Sequence, residues 1–251
     1  MITFPNAKIN LGLHVLEKRK DGFHNIESCF YPVPLTDALE IIPSEEFSFT
    51  SSGLQIPGNP QDNLIMKVLN LLGQFRELPN TKIHLHKVIP MGAGLGGGSA
   101  DATFALKMLD TTLQLNLTPV QLKSLAAQLG SDCAFFLENK PAIATDKGSK
   151  LKGIELDLDA YEIRFIHPRV SISTAEAYSL VTPRKRKTGI AEILRLPVDQ
   201  WPGNLINDFE EPIMNRYPEI RQAKEDLLSQ GATYAAMSGS GSSVYGLFTK
   251  N

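Results

Sequence analysis

The chain has 251 residues, of which 42% are hydrophobic and 21% charged, as expected for a folded globular protein with room for two domains. The formal net charge is −2 at pH 7, which argues against nucleic acid or an anionic membrane surface as a partner, since both attract strongly basic chains. No apolar run approaches the ~20 residues of a membrane span, and the first residues show no signal-peptide pattern. We therefore expect a cytoplasmic protein with reduced thiols at Cys29 and Cys133.

The first half of the chain alternates between strand and helix patterns. Alternating or short apolar runs predict strands at 9–15, 26–31, 38–42, 47–50, 83–88 and 141–144. Apolar residues at helical spacing predict helices at 64–75, 102–113 and 119–129. Asp62 is predicted to cap the first helix, whereas Thr118-Pro119 begins the third and Gly130 ends it.

The second half begins after a polar segment at 149–153, which we interpret as a link between domains 1–150 and 151–251. Beyond it the pattern predicts strands at 161–167, 233–237 and 244–248, and helices from Thr174 and over 219–229. The basic run at 184–187 is interpreted as a solvated loop, with nuclear localisation or RNA binding as the alternative. The mixture predicts an α+β fold with largely antiparallel sheets.

The most informative segment joins the strand at 83–88 to a helix and has the sequence Pro90-Met91-Gly92-Ala93-Gly94-Leu95-Gly96-Gly97-Gly98-Ser99-Ala100. Glycines permit close backbone approach to a ligand, and successive N–H groups at a helix start bind anions. The segment has neither a P-loop ending nor a clean dinucleotide-binding pattern. A flexible connector is the alternative, but the flanking strand and helix favour a nucleotide-phosphate loop, whose Ser99 hydroxyl suits a phosphate or Mg²⁺.

Three other segments are ambiguous from spacing alone. Lys8 and Asn10 share the polar face of the first strand, where a lysine is usually solvated. Asp132 stands where a helix N-cap is expected. The segment Ser238–Ser243 is typical of a hairpin turn, with phosphate or substrate contact as the alternative.

Together, three segments in order resemble the motifs of the galactokinase, homoserine kinase, mevalonate kinase and phosphomevalonate kinase (GHMP) superfamily. They are Pro5-Asn6-Ala7-Lys8-Ile9-Asn10-Leu11, the loop Pro90–Ala100, and Ser238-Gly239-Ser240-Gly241-Ser242. The resemblance implies a kinase that uses ATP and Mg²⁺. It also implies two α+β domains, the first with a left-handed β-α-β unit, against the usual handedness, and the second a ferredoxin-like α/β sandwich. We expect a monomer or weak homodimer.

Further segments resemble one branch of that superfamily, the kinases that phosphorylate the 2-hydroxyl of a cytidine diphosphate-linked methylerythritol in non-mevalonate isoprenoid synthesis. The segments are Ala7–Leu11, Asp21-Gly22-Phe23-His24, Asp62-Asn63-Leu64-Ile65, Leu129–Phe136 and Asn207-Asp208-Phe209-Glu210. Phe23 stands where tyrosine is common in that branch, and Cys133-Ala134 where Val-Pro is common. Neither departure removes a catalytic group.

The resemblance also implies roles for individual residues. Asp132 would orient or deprotonate the acceptor hydroxyl, and Lys8 would hold Asp132 and offset charge on the moving phosphoryl group. The loop Pro90–Ala100 would bind the phosphates of ATP, with Ser99 at the metal. The implied substrate contacts are Phe23, His24 and Tyr178 at the cytidine, Lys87 and Asn10 at the diphosphate and erythritol, and Thr174 in a substrate loop.

Two other functions stay open at this point. A kinase of homoserine or mevalonate would share the three motifs but lack the Asp-Gly-Phe-His segment. A non-catalytic nucleotide-binding sensor would share the fold, and the presence of both Lys8 and Asp132 argues against it.

Overall fold

The computed structural model describes residues 1–75 and 77–250. The chain divides into two compact units. The first unit contains Met1–Ala7, Pro34–Met91 and Gly96–Asn139, and the second contains Lys8–Val33, Gly92–Leu95 and the chain from Lys140 onward. Each unit is thus built from separated stretches of sequence, and the domain division at residue 150 stays a prediction.

The strands are β1 (Ile2–Thr3), β2 (Asn6–Lys18), β3 (His24–Thr36), β4 (Ala38–Pro43), β5 (Ser48–Gly53), β6 (Thr81–Lys87), β7 (Ala142–Thr145), β8 (Lys150–Gly153), β9 (Tyr161–Ile166), β10 (Tyr234–Met237) and β11 (Val244–Thr249). The helices are α1 (Leu64–Gly73), α2 (Gly97–Thr112), α3 (Pro119–Leu129), α4 (Cys133–Glu138), α5 (Thr174–Ser179), α6 (Ile190–Ile193), α7 (Glu210–Arg216) and α8 (Pro218–Ser229). Short 3-10 turns cover Pro60–Asp62 and Val198–Gln200.

The first unit is a four-stranded sheet, in the order β1-β4-β6-β5, with helices packed on it. Strands β4 and β6 are antiparallel, whereas β5 and β6 are parallel and are joined through α1, which makes a β-α-β unit. The inward residues of β4 and β6 are buried against α1, α2 and α3, and the core includes Leu39, Ile41, Ile83 and Leu85. Each such side chain contributes roughly 1.5–3 kcal/mol through burial. The handedness of the β-α-β unit stays a prediction.

Local sequence signals predict the N-cap of α3 correctly and the N-cap of α1 one residue too early. Helix α3 begins after Thr118, whose side chain forms a reciprocal capping box with Gln121, and it ends before Gly130. For α1 the predicted cap at Asp62 is wrong, because Asn63 is the N-cap and accepts from the Ile65 amide. Asp62 belongs instead to the preceding 3-10 turn.

The second unit contains two sheets. One has the order β2-β3-β7-β8 and the other is the antiparallel sheet β10-β11-β9. The polar link predicted at 149–153 is wrong, because β8 pairs with β7 through Ala144↔Leu151. β8 is a short strand at the edge of its sheet and contains two lysines. Its sequence therefore lacks the clear apolar alternation that would predict a strand.

The sheet β10-β11-β9 carries α8 across all three strands. The core beneath this helix contains Ile220, Ala223 and Leu227 from α8, together with Ala235 and Val244 from the sheet. This antiparallel sheet with its covering helix is the α/β layer expected of the C-terminal half. In the described part of the chain it has three strands.

Candidate active site

The glycine-rich loop ends in a helix start that is suited to an anion. Gly96 is the N-cap of the 16-residue helix α2, with a left-handed φ of 70° and no side chain to cap the first turn. The first N–H groups of a helix lack intrahelical partners and carry the positive end of its dipole. Because glycine leaves them uncovered by a side chain, these amides can donate to phosphate oxygens.

Gly94 is the point at which the glycine-rich loop meets the second glycine-containing segment, Ser238–Ser243, which we call the serine–glycine loop. The Gly94 carbonyl accepts from the Ser238 hydroxyl at 2.8 Å. A Cβ at Gly94 would lie 2.0 Å from the Ser238 carbonyl oxygen, at a φ of +76°. Only glycine permits this approach.

We expect Gly94→Ala to destabilise the fold by roughly 2–5 kcal/mol, the sum of overpacking and left-handed strain. The matched control is Gly231→Ala, since Gly231 has a φ of +97° but nothing within 4 Å of an added Cβ. It should cost only the strain, roughly 1–2 kcal/mol. Urea unfolding measures both, and equal losses would show that the contact with Ser238 does not constrain Gly94.

Lys8 is buried on β2 in the second unit, with only 3% of its surface exposed. Its Nζ donates to Asn10 Oδ1 at 2.6 Å and to the Gly94 carbonyl at 3.2 Å, and it lies 4.8 Å from the centre of the Phe30 ring. The interpretation of Lys8 as a solvated lysine is therefore wrong. Residues 7–15 of β2 are all buried, so the half-buried strand expected from the alternation is wrong as well.

Asn10 orients the lysine. Its Nδ2 donates to Ser28 Oγ at 2.8 Å, which leaves Oδ1 facing Lys8. The backbone amide of Asn10 donates to Ser238 Oγ, and the backbone carbonyl of Asn10 accepts from Tyr245 OH. With both ends of its side chain engaged, Asn10 fixes the direction of the ammonium group.

The serine–glycine loop is a hairpin connection, as predicted, between the paired residues Met237 and Val244. It also contacts the glycine-rich loop at two places, while its contact with phosphate or substrate stays a prediction. Besides the Ser238 bond, the Ser243 amide donates to the Ala93 carbonyl at 3.2 Å. The second unit therefore holds Lys8, Gly94 and the serine–glycine loop together.

The predicted cytidine-binding aromatics are also in the second unit. The His24 and Tyr178 rings stack with centroids 4.6 Å apart and planes 11° apart, and Tyr178 meets Phe209 edge-on at 4.9 Å. Burial, and then the charge of Lys18, lower the pKa of His24 below its ordinary value, which favours the neutral imidazole. Phe23 is 54% exposed. The aromatic cluster thus offers flat, uncharged faces to a ligand.

Three details bear on the substrate contacts expected from the sequence. Because His24 and Tyr178 are already in contact, a pyrimidine fits between them only if they separate. The Phe23 ring lies beside the ammonium group of Lys147, 4.8 Å from its centre. Thr174 is the first residue of α5, the helix that carries Tyr178.

Asp132 immediately precedes α4 in the first unit. It occupies the N-cap position but makes no capping hydrogen bond, so the interpretation of its carboxylate as a helix cap is wrong. Helix α4 is tied to the start of α2 through Thr103, whose Oγ1 lies 2.8 Å from the Ser99 carbonyl and 3.0 Å from the Cys133 carbonyl. This tie fixes the backbone beside Asp132 relative to Ser99.

Lys87 belongs to a buried charge cluster of the first unit that the sequence did not reveal. Its Nζ pairs with Asp101 Oδ2 at 2.8 Å and with Asp37 Oδ2. Asp37 Oδ1 accepts from the amides of Val88 and Ile89, at 2.6 and 2.8 Å. The cluster thus fastens the entrance of the glycine-rich loop and the first turns of α2, and Lys87 is 1% exposed.

Burial raises the pKa of Asp101 to about 7; the Lys87 charge opposes the rise and the Asp37 charge adds to it. The folded protein therefore keeps a proton that the unfolded chain, with a pKa near 3.8, releases earlier as pH rises. Stability from this proton is complete below about pH 4 and is lost as pH rises through 7.

We expect wild type to lose stability relative to Asp101→Asn between pH 5 and pH 8, by at most about 1.4 kcal/mol per pH unit. The asparagine has no charge to bury, so its variant lacks this dependence. Urea unfolding of both proteins across that range measures the difference, and parallel curves would contradict the assignment.

Comparison with known proteins agrees with this geometry. The family model described as the GHMP kinases N terminal domain matches residues 63–140, and the one described as GHMP kinases C terminal matches residues 191–251. Fold and motifs together define a GHMP kinase. In the described part of the chain, no helix is both long and apolar enough to cross a membrane.

The relatives narrow the class. The chain is 50% identical to the 4-diphosphocytidyl-2-C-methyl-D-erythritol kinase of Parabacteroides distasonis over 100% of this chain and 92% of the relative. It is 52% identical to that of Bacteroides thetaiotaomicron over 99% and 92%. A crystal structure of 4-(cytidine 5'-diphospho)-2C-methyl-D-erythritol kinase superposes with a TM-score of 0.82 and 30% identity, covering 98% of this chain and 90% of that one. The chain belongs to the 4-diphosphocytidyl-2-C-methyl-D-erythritol kinase family.

Proposed function

We propose that this kinase transfers the γ-phosphoryl group of ATP to the 2-hydroxyl of 4-diphosphocytidyl-2-C-methyl-D-erythritol. The observation that carries the proposal is the buried ammonium of Lys8, held between Asn10 and the Gly94 carbonyl of the glycine-rich loop. A positive charge fixed against a phosphate loop supplies electrostatic stabilisation without reorganisation during the reaction. Relatives that are about half identical over nearly their whole length support the choice of substrate.

ATP would bind along the glycine-rich loop, its phosphates accepting from the amides at the start of α2. The uncapped Gly96 terminus fits such an anion. Mg²⁺, when bound, would neutralise charge on the phosphate oxygens; the Ser99 hydroxyl would hold it. Among the described residues no group of three or more acidic, histidine or cysteine side chains forms a metal site, which suits an ion held mainly by phosphates and water.

Asp132 and Lys8 form the proposed catalytic pair. Asp132 would orient the acceptor hydroxyl and accept its proton, while Lys8 would hold Asp132 and offset charge on the transferring phosphoryl group. Phosphoryl transfer relies chiefly on positioning and electrostatics, so one carboxylate and one ammonium suffice beside the metal. The tie between α2 and α4 through Thr103 supports the pair, since it holds the backbone beside Asp132 relative to Ser99.

The cytidine would be recognised by Phe23, His24 and Tyr178, with Thr174 beside them on α5 and Asn10 toward the erythritol. We leave Lys87 out of this substrate site, because its ammonium is buried between Asp37 and Asp101. Binding of the base between His24 and Tyr178 requires the stacked rings to open. A cytoplasmic location, a monomer or weak homodimer, and domains at 1–150 and 151–251 complete the proposal.

An assay of ADP release with three alcohols tests the function. The cytidine substrate, homoserine and mevalonate are each supplied with ATP and Mg²⁺, and the phosphorylated product is located by phosphorus NMR. We expect turnover with the cytidine substrate alone. ADP release driven by either of the other alcohols would assign the chain to another GHMP activity, and nucleotide binding without turnover on any would indicate a sensor.

Asp132→Asn should reduce kcat by about 10²- to 10⁴-fold, the usual contribution of a general base. The amide keeps the shape of the side chain but has neither the charge nor the basicity. The matched control is Asp157→Asn, at an exposed aspartate of the second unit, which should leave kcat unchanged. A fully active Asp132→Asn enzyme would remove Asp132 from the catalytic pair while leaving the substrate assignment standing.

A further inference from the structure

The segment Ile206–Phe209 precedes α7 and lies along β2. The Leu13 amide donates to the Ile206 carbonyl at 2.9 Å, and the Asp208 amide donates to the Leu13 carbonyl at 2.8 Å. These bonds make a parallel bridge between Leu13 and Asn207. The segment therefore extends the surface of the strand that carries Lys8, although the function proposed above gives it no role.

Asp208 fastens this segment independently of Asn207. Its Oδ2 accepts from the Val15 amide at 2.8 Å, and its Oδ1 pairs with the guanidinium groups of Arg184 and Arg186. The basic run at 184–187 is thus not simply a solvated loop, because two of its members hold a buried carboxylate. With these contacts intact, a change at Asn207 leaves the segment on β2.

Asn207 is buried, with 2% of its surface exposed, and its side chain is fully engaged. Nδ2 donates both hydrogens, to the Met237 and Gly239 carbonyls, each at 2.8 Å. Oδ1 accepts from the Phe209 amide at 3.0 Å. The two carbonyls belong to the residues on either side of Ser238, so the Asn207 side chain is hydrogen-bonded to the start of the serine–glycine loop.

Ser238 connects the hydrogen bonds of Asn207 to the proposed catalytic lysine. Its hydroxyl accepts from the Asn10 amide at 3.1 Å and donates to the Gly94 carbonyl at 2.8 Å. Asn10 Oδ1 and the Gly94 carbonyl also accept hydrogen bonds from Lys8 Nζ. A displacement of Ser238 is therefore expected to move these two acceptors of the Lys8 ammonium.

We propose that Asn207 is a positioning residue: it fixes the serine–glycine loop on β2 and, through Ser238, sets the position of the Gly94 carbonyl and of Lys8. The effect on catalysis rests on the function proposed above. Asn207 touches no reacting group in this scheme, and its amide works because it supplies two donors in one plane. A carboxylate of the same shape would face two carbonyl oxygens and repel them.

The test compares Asn207→Asp with wild type and with Asn204→Asp, a control at an exposed asparagine three residues earlier. We expect Asn207→Asp to lower kcat about 100-fold, the loss typical of a displacement of about 1 Å in a catalytic group. KM for the cytidine substrate should change much less, because an aspartate Oδ1 still accepts from the amide of Phe209, the residue that contacts Tyr178. Asn204→Asp should behave as wild type.

A double-mutant cycle with Ser238→Ala separates positioning from general destabilisation. If Asn207 acts through Ser238, the double variant should be hardly slower than the slower single variant. Multiplying losses would overturn the proposal, as would an Asn207→Asp enzyme with the wild-type kcat. If Asn207→Asp does not fold, Asn207→Ser takes its place in the cycle with the same two outcomes.

Hydrogen exchange distinguishes failure of this inference from failure of the proposed function. The Gly241 amide donates to the Ser238 carbonyl, and the Ser243 amide donates to the Ala93 carbonyl. We expect both to exchange faster in Asn207→Asp, with the amides of α8 unchanged. This result would support the positioning role of Asn207 even in a protein without kinase activity, whereas unchanged exchange of both amides would overturn it.

Discussion

Lys8→Met is expected to lower kcat about 10²- to 10³-fold, the usual loss when one preorganised electrostatic contact to a transition state is removed. Methionine has nearly the length of lysine and no charge, so the packing in β2 is largely kept. The Asn10 and Gly94 acceptors lose their common donor. Steady-state kinetics at saturating ATP and acceptor measure the effect.

The matched control is Lys152→Met. Lys152 is exposed on β8, in the same sheet as β2, so it reports any general effect of removing one positive charge. Its kcat should stay at the wild-type value. A Lys8→Met enzyme within about threefold of wild type, well below the loss expected for an electrostatic contact, would show that the buried ammonium is structural.

Lys87→Ala is expected to destabilise the protein by roughly 3–5 kcal/mol, the cost of breaking a buried ion pair. At pH 8, above the Asp101 pKa of about 7 in wild type, the substitution leaves the carboxylates of Asp37 and Asp101 buried together with no positive charge between them. Desolvation and mutual repulsion then both oppose folding. Urea unfolding followed by circular dichroism measures the loss.

Lys82→Ala is the control, because Lys82 lies on the same strand as Lys87 but is exposed. It should change stability by no more than about 0.5 kcal/mol. In the double variant Lys87→Met/Asp101→Asn the cluster loses one charge of each sign, so it should be more stable than Lys87→Met alone. Equal losses for Lys87→Ala and Lys82→Ala would contradict the role of the cluster.

Signals that act over a few residues were reliable guides to this chain. Helix α3 has the boundaries expected from Thr118-Pro119 and Gly130 because a capping box and a terminating glycine are local interactions. The wrong prediction of Asp62 as the N-cap of α1 also comes from reliance on local preference. Aspartate and asparagine are comparable caps, and local preference alone does not choose between Asp62 and the adjacent Asn63.

Such local signals did not predict the pairing of the charged residues near the glycine-rich loop. Lys87 pairs with Asp37, 50 positions away, and with Asp101, 14 positions away. A strand pattern predicts which face a lysine occupies, but the free energy of burying it depends on partners brought by other elements. For the same reason Lys8, on a face that looked solvated, is buried beside Asn10 and the Gly94 carbonyl.

The order of the three motifs was enough to place the chain among GHMP kinases, and Asp-Gly-Phe-His pointed to a cytidine-bearing substrate. These motifs are patterns of residue type along the chain, so they can be identified without a structure. The direction of the Lys8 ammonium and the attachment of Asn207 to the serine–glycine loop depend on folding. Each depends on hydrogen bonds between residues that are distant in the chain, Gly94 to Lys8 and Met237 to Asn207. Such bonds form only when packing brings both partners out of water together.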